Sequence, residues 1–212
     1  GDPDTGNSRR VGLGTCDSWN DLDAVAQRFG VSPHHVVVDS GDGVKQADIY
    51  RECARRGVDV PRRNQLPLRV GWAPAKGFER EKRWTKNSKA QPMPFGTSAA
   101  DLPHQEYELR VFQFAGPYIH DILHELRGGI GRSHGIRWEI LADAERDPEY
   151  WSQLDCKVKR PTSHSRTGRV LWAWEKRSRH ARDHYLDCEI QCTAFALFHG
   201  LLLWTADKMR RN

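Results

Sequence analysis

The stretch HVVVDSGD, residues 35–42, decides how this chain is read. Three consecutive valines favour a pleated, buried surface, and a short apolar run closed by Ser, Gly and Asp reads as a strand covered on both faces. That run stops on Asp39. Before it, SWNDLDAVAQRFG (18–30) carries Trp19, Leu22, Val25, Ala26 and Phe29 at helical spacing, with Gly30 as a stop. After it, GDGVKQADIYRECARRG (41–57) gives a turn and a second helix through Val44, Ala47, Tyr50 and Cys53 or Ala54. RRVGLGT (9–15) ahead of both reads as a further strand. Strand, helix, strand, helix argues for parallel pairing with helical crossovers, an α/β class. In such sheets ligands gather outside the carboxyl ends of the strands, where Asp39 stands.

Further along, LRVGWAPAKG (68–77) reads as a strand running into a loop at Lys76 and Gly77. Residues 78–106 are polar, basic and rich in Ser, Pro and Gly, which predicts an exposed excursion. YELRVFQF (107–114) resumes as a strand, YIHDILHELRGG (118–129) as a helix, and DPEYWSQLDC (147–156) as a short helix. Residues 157–176 form two strand-like arms about a Thr-Gly turn, a hairpin. The last helix is predicted from about Asp183 to Lys208, with Leu186, Ile190, Ala194, Phe195, Phe198, Leu201 and Leu202 as a broad apolar stripe.

A chain of 212 residues with 38% hydrophobic content can build one real core, so residues 1–212 are expected to form a single domain. The longest apolar segment, TAFALFHGLLLW, is interrupted by His199 and Gly200 and is too short to span a bilayer; no membrane is expected. The start, GDPDTGNSRR, lacks the features of a signal peptide. Five cysteines without a C-x-x-C pair argue against a disulfide scaffold and fit a reducing interior. Net charge is only +5, yet Lys and Arg cluster, notably in EREKRWTKNSK from 79, KVKRP from 157 and EKRSRHAR from 175. Such clusters either oppose a phosphate backbone or form an ordinary solvated face.

The chemistry rests on carboxylates. Asp39 at a strand end and Asp187 in the first turn of a packed helix can converge in space, and a divalent cation relieves the repulsion between them through hard oxygen donors. The plain alternatives are a turn cap for Asp39 and a helix-dipole partner for Asp187. His184, three residues before Asp187, either orients a ligand or caps the helix. Lys76 either faces phosphate or is an exposed lysine before a turn. No phosphate-binding Walker loop, H-E-x-x-H or zinc spacing is present, so ATP hydrolysis and zinc chemistry are not expected.

TCDSWNDLDAVAQRFGV followed by HVVVDSGDGVKQADIYRECARRG resembles the nuclease part of tailed-phage large terminase subunits. YWSQLDCKVKRPTSHSRTGRVLWAWEKR and RDHYLDCEIQCTAFA are similar to that family's closing section, a hairpin leading to an Asn/Asp-His-x-x-Asp-Cys helix start. The resemblance implies an RNase H-like mixed sheet flanked by helices, here lacking its first strand or strands, and a carboxylate cluster binding two Mg2+ or Mn2+ ions. It implies Asp39 and Asp187 as catalytic metal ligands, with His184, Lys76 and Gly77 as accessory residues. The family's first catalytic aspartate has no counterpart here; Asp2, Asp4 and Asp17 lack the strand that should carry it. The implied reaction is cleavage of concatemeric viral double-stranded DNA in the host cell cytoplasm, with a small terminase subunit and a portal protein as partners. Arg80, Lys82, Arg83, Lys86, Lys89 and Arg177 are the expected DNA contacts, positioning the backbone without reading bases.

Three rivals stand beside that reading. One is a catalytically inactive RNase H-like module that binds or docks DNA. Another is a different RNase H-like enzyme, a junction nuclease or an integrase. The third is a structural capsid component.

Overall fold

The computed structural model describes residues 8–41, 43–79, 84, 93–103, 106–128, 138–139, 147–163 and 170–200. Among them the chain runs β1 (Ser8–Arg9), α1 (Trp19–Arg28), a 3-10 turn at Pro33–His35, β2 (Val37–Asp39), α2 (Gln46–Arg55), β3 (Val58–Val60) and β4 (Leu68–Val70). It continues through β5 (Ala73–Phe78), β6 (Phe95–Ala99), β7 (Glu108–Ala115), α3 (Gly116–Arg127) and β8 (Trp138–Glu139). The last elements are α4 (Pro148–Leu154), β9 (Lys157–Ser163), β10 (Val170–Lys176) and α5 (His184–Phe198).

The main sheet is mixed. Its path is β2-β5-β7-β4-β3, and β6 adds to β7. β2 with β5, β5 with β7 and β4 with β7 are parallel, whereas β3 with β4 and β6 with β7 are antiparallel. β4 and β5 lie in succession along one side of β7. Arg69 pairs with Leu109 and Ala75 with Phe112, so five residues on one strand face two on the other. The surplus is taken up at Gly71–Trp72, where the chain bends against the α2–β3 turn. A Cβ on Gly71 would lie 2.5 Å from the Arg56 carbonyl oxygen and 2.6 Å from the Gly57 Cα, so only glycine permits that approach.

Helices cover both faces. Along β7, Phe112 and Phe114 point to one side, where Ile119 and Leu123 of α3 and Leu186 and Ile190 of α5 complete the largest core. Leu109 and Val111 point to the other side and meet Tyr50 and Ala54 of α2. Next to them, Val36, Ile49, Cys53 and Trp72 are covered by Trp19 and Leu22 of α1. Each fully buried Leu or Ile contributes roughly 1.5–3 kcal/mol, so the first core holds β5, β7, α3 and α5 as one body.

Local signals explain the helix limits. Ser18 caps α1 by accepting from the Asp21 amide at 3.2 Å, and Gly30 at φ 62° turns the chain away. Asp147 caps α4 by accepting from the Glu149 and Tyr150 amides at 2.9 and 3.2 Å, with Pro148 opening the helix. α3 begins at the residue after β7, with Pro117 in its first turn.

Several expectations are corrected. RRVGLGT is not a strand beyond its first residue: only Ser8–Arg9 pair, parallel to Trp138–Glu139. The two glycines leave 11–16 without regular structure, and Val11 is exposed. Parallel pairing is present between β2, β5 and β7, but among the described residues only the β2–β5 connection carries a helix, α2, while β6 lies between β5 and β7. The excursion at 78–106 includes a true strand, since Phe95–Ala99 pair along β7 from Phe114 to Arg110. β3 was not anticipated, and LRVGWAPAKG is two strands. α5 ends at Phe198, and the predicted continuation from Leu201 to Lys208 lies outside the described residues. Among the described residues, no helix is long and apolar enough to cross a membrane.

Candidate metal and phosphate site

Asp39 is the last residue of β2. Its place is fixed by its neighbour: the buried Ser40 donates its backbone N–H and its hydroxyl to the Ala75 carbonyl, at 2.8 and 2.7 Å. One carboxylate oxygen of Asp39 accepts the Gly41 amide at 2.9 Å, leaving the rest of this exposed group open to ligands. Asp39 pairs with Ala75 and Ala75 with Phe112, so Asp39 faces the side covered by α3 and α5.

Asp187 reaches that side from the first turn of α5, which packs against β2. Burial raises its affinity for protons, the negative charges of Asp183 and Asp39 raise it further, and the Lys157 ammonium works against them. The two predicted acids therefore sit within each other's electrostatic reach on one face of the sheet. Their side chains supply hard oxygen donors, and Mg2+ is commonly held by one or two carboxylates together with water and substrate phosphates. The donor type suits such an ion. Among the described residues there is no group of three His, Cys, Asp or Glu that could hold a metal.

A pair of lysines at the root of the β9–β10 hairpin completes the electrostatics. Lys157 and Lys176 are register partners. Lys157 Nζ lies 3.0 Å from Asp183 Oδ2 and 3.3 Å from Asp187 Oδ1, while Lys176 Nζ lies 2.8 Å from Asp183 Oδ1. Asp183 occupies the N-cap position of α5, yet its side chain caps nothing because both oxygens are taken by lysines. Burial would raise the Asp183 carboxyl, but hydrogen bonds from Lys176 and Lys157 outweigh it and hold the group below its ordinary value. Burial likewise opposes the charge of Lys157, and Asp183 and Asp187 together overcome it, so the ammonium is held more firmly than usual.

The other predicted residues are dispersed. His184 is exposed at the first position of α5, one turn before Asp187 and next to the acids. Gly77 pairs with Phe114 and shares the face of Asp39; a Cβ there would approach the Phe114 ring to 3.1 Å. Lys76 pairs with Gln113 and lies on the opposite face. Arg177 folds back onto α4, its Nε donating to the Asp155 carbonyl at 2.8 Å. Arg80, Lys82, Arg83, Lys86 and Lys89 lie outside the described residues, as do Asp2 and Asp4; Asp17 is exposed ahead of α1.

Sequence reasoning missed Lys157, Lys176 and Asp183. KVKRP was visible only as a basic cluster. The hairpin register would have set Lys157 opposite Lys176, a like-charge pair that calls for an intervening acid.

A model of the family described as terminase large subunit gpA, endonuclease domain, matches residues 20–207. The chain belongs to that gpA endonuclease family. No curated protein and no solved structure matches it. The mixed sheet with helices on both faces is consistent with an RNase H-like fold, and the gpA family match favours the terminase reading over junction nucleases, integrases and capsid components. Both acids and the whole hairpin fall within the matched segment.

Proposed function

We propose that this gpA-family domain is a metal-dependent endonuclease that cuts double-stranded viral DNA during genome packaging, with Asp39 and Asp187 holding Mg2+ or Mn2+. What supports the reading is that these two carboxylates, from a strand end and a helix start, lie on one face of the sheet within electrostatic reach of each other. A bound divalent ion supplies Lewis acidity to the scissile phosphate and an activated water at neutral pH.

The chain's own residues have separate tasks on this reading. Asp39, held by the Ser40–Ala75 clasp, fixes one oxygen donor against the sheet. Asp187 brings the second on a helix anchored in the core. His184 stands beside them to donate to a phosphate oxygen, and the basic stretch from Arg80 to Lys89 tracks the duplex backbone. The two ions expected from the family would draw further donors from outside the pair. Action in the host cytoplasm beside a small terminase subunit and a portal protein completes the proposal.

A second reading, an inactive DNA-binding module, is favoured by the lack of a three-residue metal cluster among the described residues. Nicking of supercoiled plasmid in Mn2+ decides between them. The endonuclease reading expects cutting that falls by at least about 100-fold in D39N and in D187N, as loss of a metal's support does, with duplex binding kept. Cutting by D187N at the unmodified rate would end it. Duplex binding with no cutting by the unmodified chain would establish the inactive module.

A further inference from the structure

We propose that Lys157 is the internal counter-ion of this site: its ammonium stands against Asp187 where a divalent cation is absent and is handed to Asp183 when one binds. The inference rests on the metal reading of Asp39 and Asp187.

Three features of the geometry carry it. Lys157 Nζ is shared unequally, 3.0 Å from Asp183 and 3.3 Å from Asp187. Only the longer contact has to break for Asp187 to turn wholly to a metal. Asp183 is prepared to keep the ammonium, because its second oxygen is already bound by Lys176 at 2.8 Å and its place at the head of α5 is fixed. The Lys157 side chain is 19% exposed and cannot retreat into water, so a second carboxylate is what makes the exchange feasible. Asp187, at 45% exposed, is the partner open to an incoming cation.

Lys157 would thus be a positioning residue acting through Asp187. It offsets the repulsion between Asp39 and Asp187 in the metal-free protein, and a cation must compete with it. Arg160 supplies the control: it carries the same charge on the same strand, β9, is exposed, and pairs with Ala173 away from the acids.

The test is the Mn2+ dissociation constant of the whole chain without DNA, read from the electron paramagnetic resonance signal of free Mn2+. K157M is expected to bind Mn2+ about tenfold more tightly than the unmodified protein, and R160M within about twofold of it, since direct contact outweighs a screened charge. K157R should bind as the unmodified protein does. If K157M does not fold, K157Q gives the same comparison while keeping a donor for Asp183. Binding by the neutral variant no tighter than by R160M overturns the inference. D187N separates the two levels: unchanged Mn2+ affinity in D187N overturns the metal reading itself, whereas weakened affinity in D187N with an unchanged K157M overturns only the role of Lys157.

Discussion

Trp174 of the hairpin lies flat on the buried ring of His120 in α3, with centroids 3.7 Å apart and 21° between planes. Around this stack, the Trp174 indole N–H donates to Asp121 Oδ1 at 2.8 Å, and Lys159 Nζ bonds both oxygens of the same carboxylate at 2.8 Å. The hairpin that brings Lys157 to the acids is docked through this cluster. Its stability should therefore depend on the charge state of His120.

Burial, together with the nearby positive charges of Lys157, His124, Arg127 and Lys159, pushes the His120 imidazole down from 6.5 to about 3. The folded state takes up its proton less readily than the unfolded chain. The neutral ring therefore contributes stability above pH 6.5, and that contribution is lost as pH falls toward 3. Between pH 7 and pH 5 the loss from this group alone is on the order of 2 kcal/mol. His120→Phe keeps a ring against Trp174 and removes the proton site. Urea denaturation at the two pH values should show the unmodified chain losing more stability than the variant by that amount. Equal losses would place the acid sensitivity elsewhere.

Glu189 offers a contrast with Asp187 two residues earlier. It is buried, accepts from the Tyr150 hydroxyl at 3.1 Å and pairs with Arg10, so it is committed to structure and turned away from the site. E189Q should cost about 2 kcal/mol by leaving Arg10 without its charge partner, while Mn2+ affinity stays within about twofold of the unmodified value. D187N should do the reverse. Thermal melts and Mn2+ titration of both variants check this double contrast, which fails if E189Q also loses metal.

Arg56 ties α1 to α2. Its guanidinium grips Asp23 with Nε at 2.8 Å and Nη2 at 2.7 Å, pairs with Glu52, and lies over the Trp72 ring at 4.5 Å. Lysine offers one compact charge in place of this planar fork. R56K should therefore destabilise by about 2 kcal/mol, and R56M by more. The urea midpoint should fall with an unchanged slope; a midpoint equal to that of the unmodified chain would mean that the two tryptophans alone hold α1.

What could be read from sequence follows from where the information resides. The valines before Asp39, the helical spacing from Trp19 to Phe29 and the stripe of α5 mark their own periodicity, so β2, α1 and α5 were legible, although Val25 and Phe29 of the α1 pattern are exposed. β6 was not, because FGTSA has little intrinsic strand character and owes its form to β7. RRVGLGT misled because an apolar alternation over two glycines offers little to pack. The acids of the site were visible as isolated chemistry, but the Lys157–Asp187 contact joins residues thirty positions apart and depends on hairpin register. The strand break at Gly71 was equally hidden, since its cause is the backbone of another turn.

A methyl group on Gly71 would meet the Arg56 carbonyl and the Gly57 Cα at 2.5 and 2.6 Å, and neither is a side chain able to swing away. G71A must push the α2–β3 turn off the β4–β5 bend, which costs about 3 kcal/mol in a packed interior. The strain falls close to β5, the strand against which Ser40 clasps the Asp39 end of β2. Gly14 is the matched control: a methyl group there would meet no atom within 4 Å, and G14A should lie within about 0.5 kcal/mol of the unmodified chain. Paired urea melts measure both. Equal midpoints for the two variants would show that the turn yields freely, and the bend would then have no part in holding Asp39 in place.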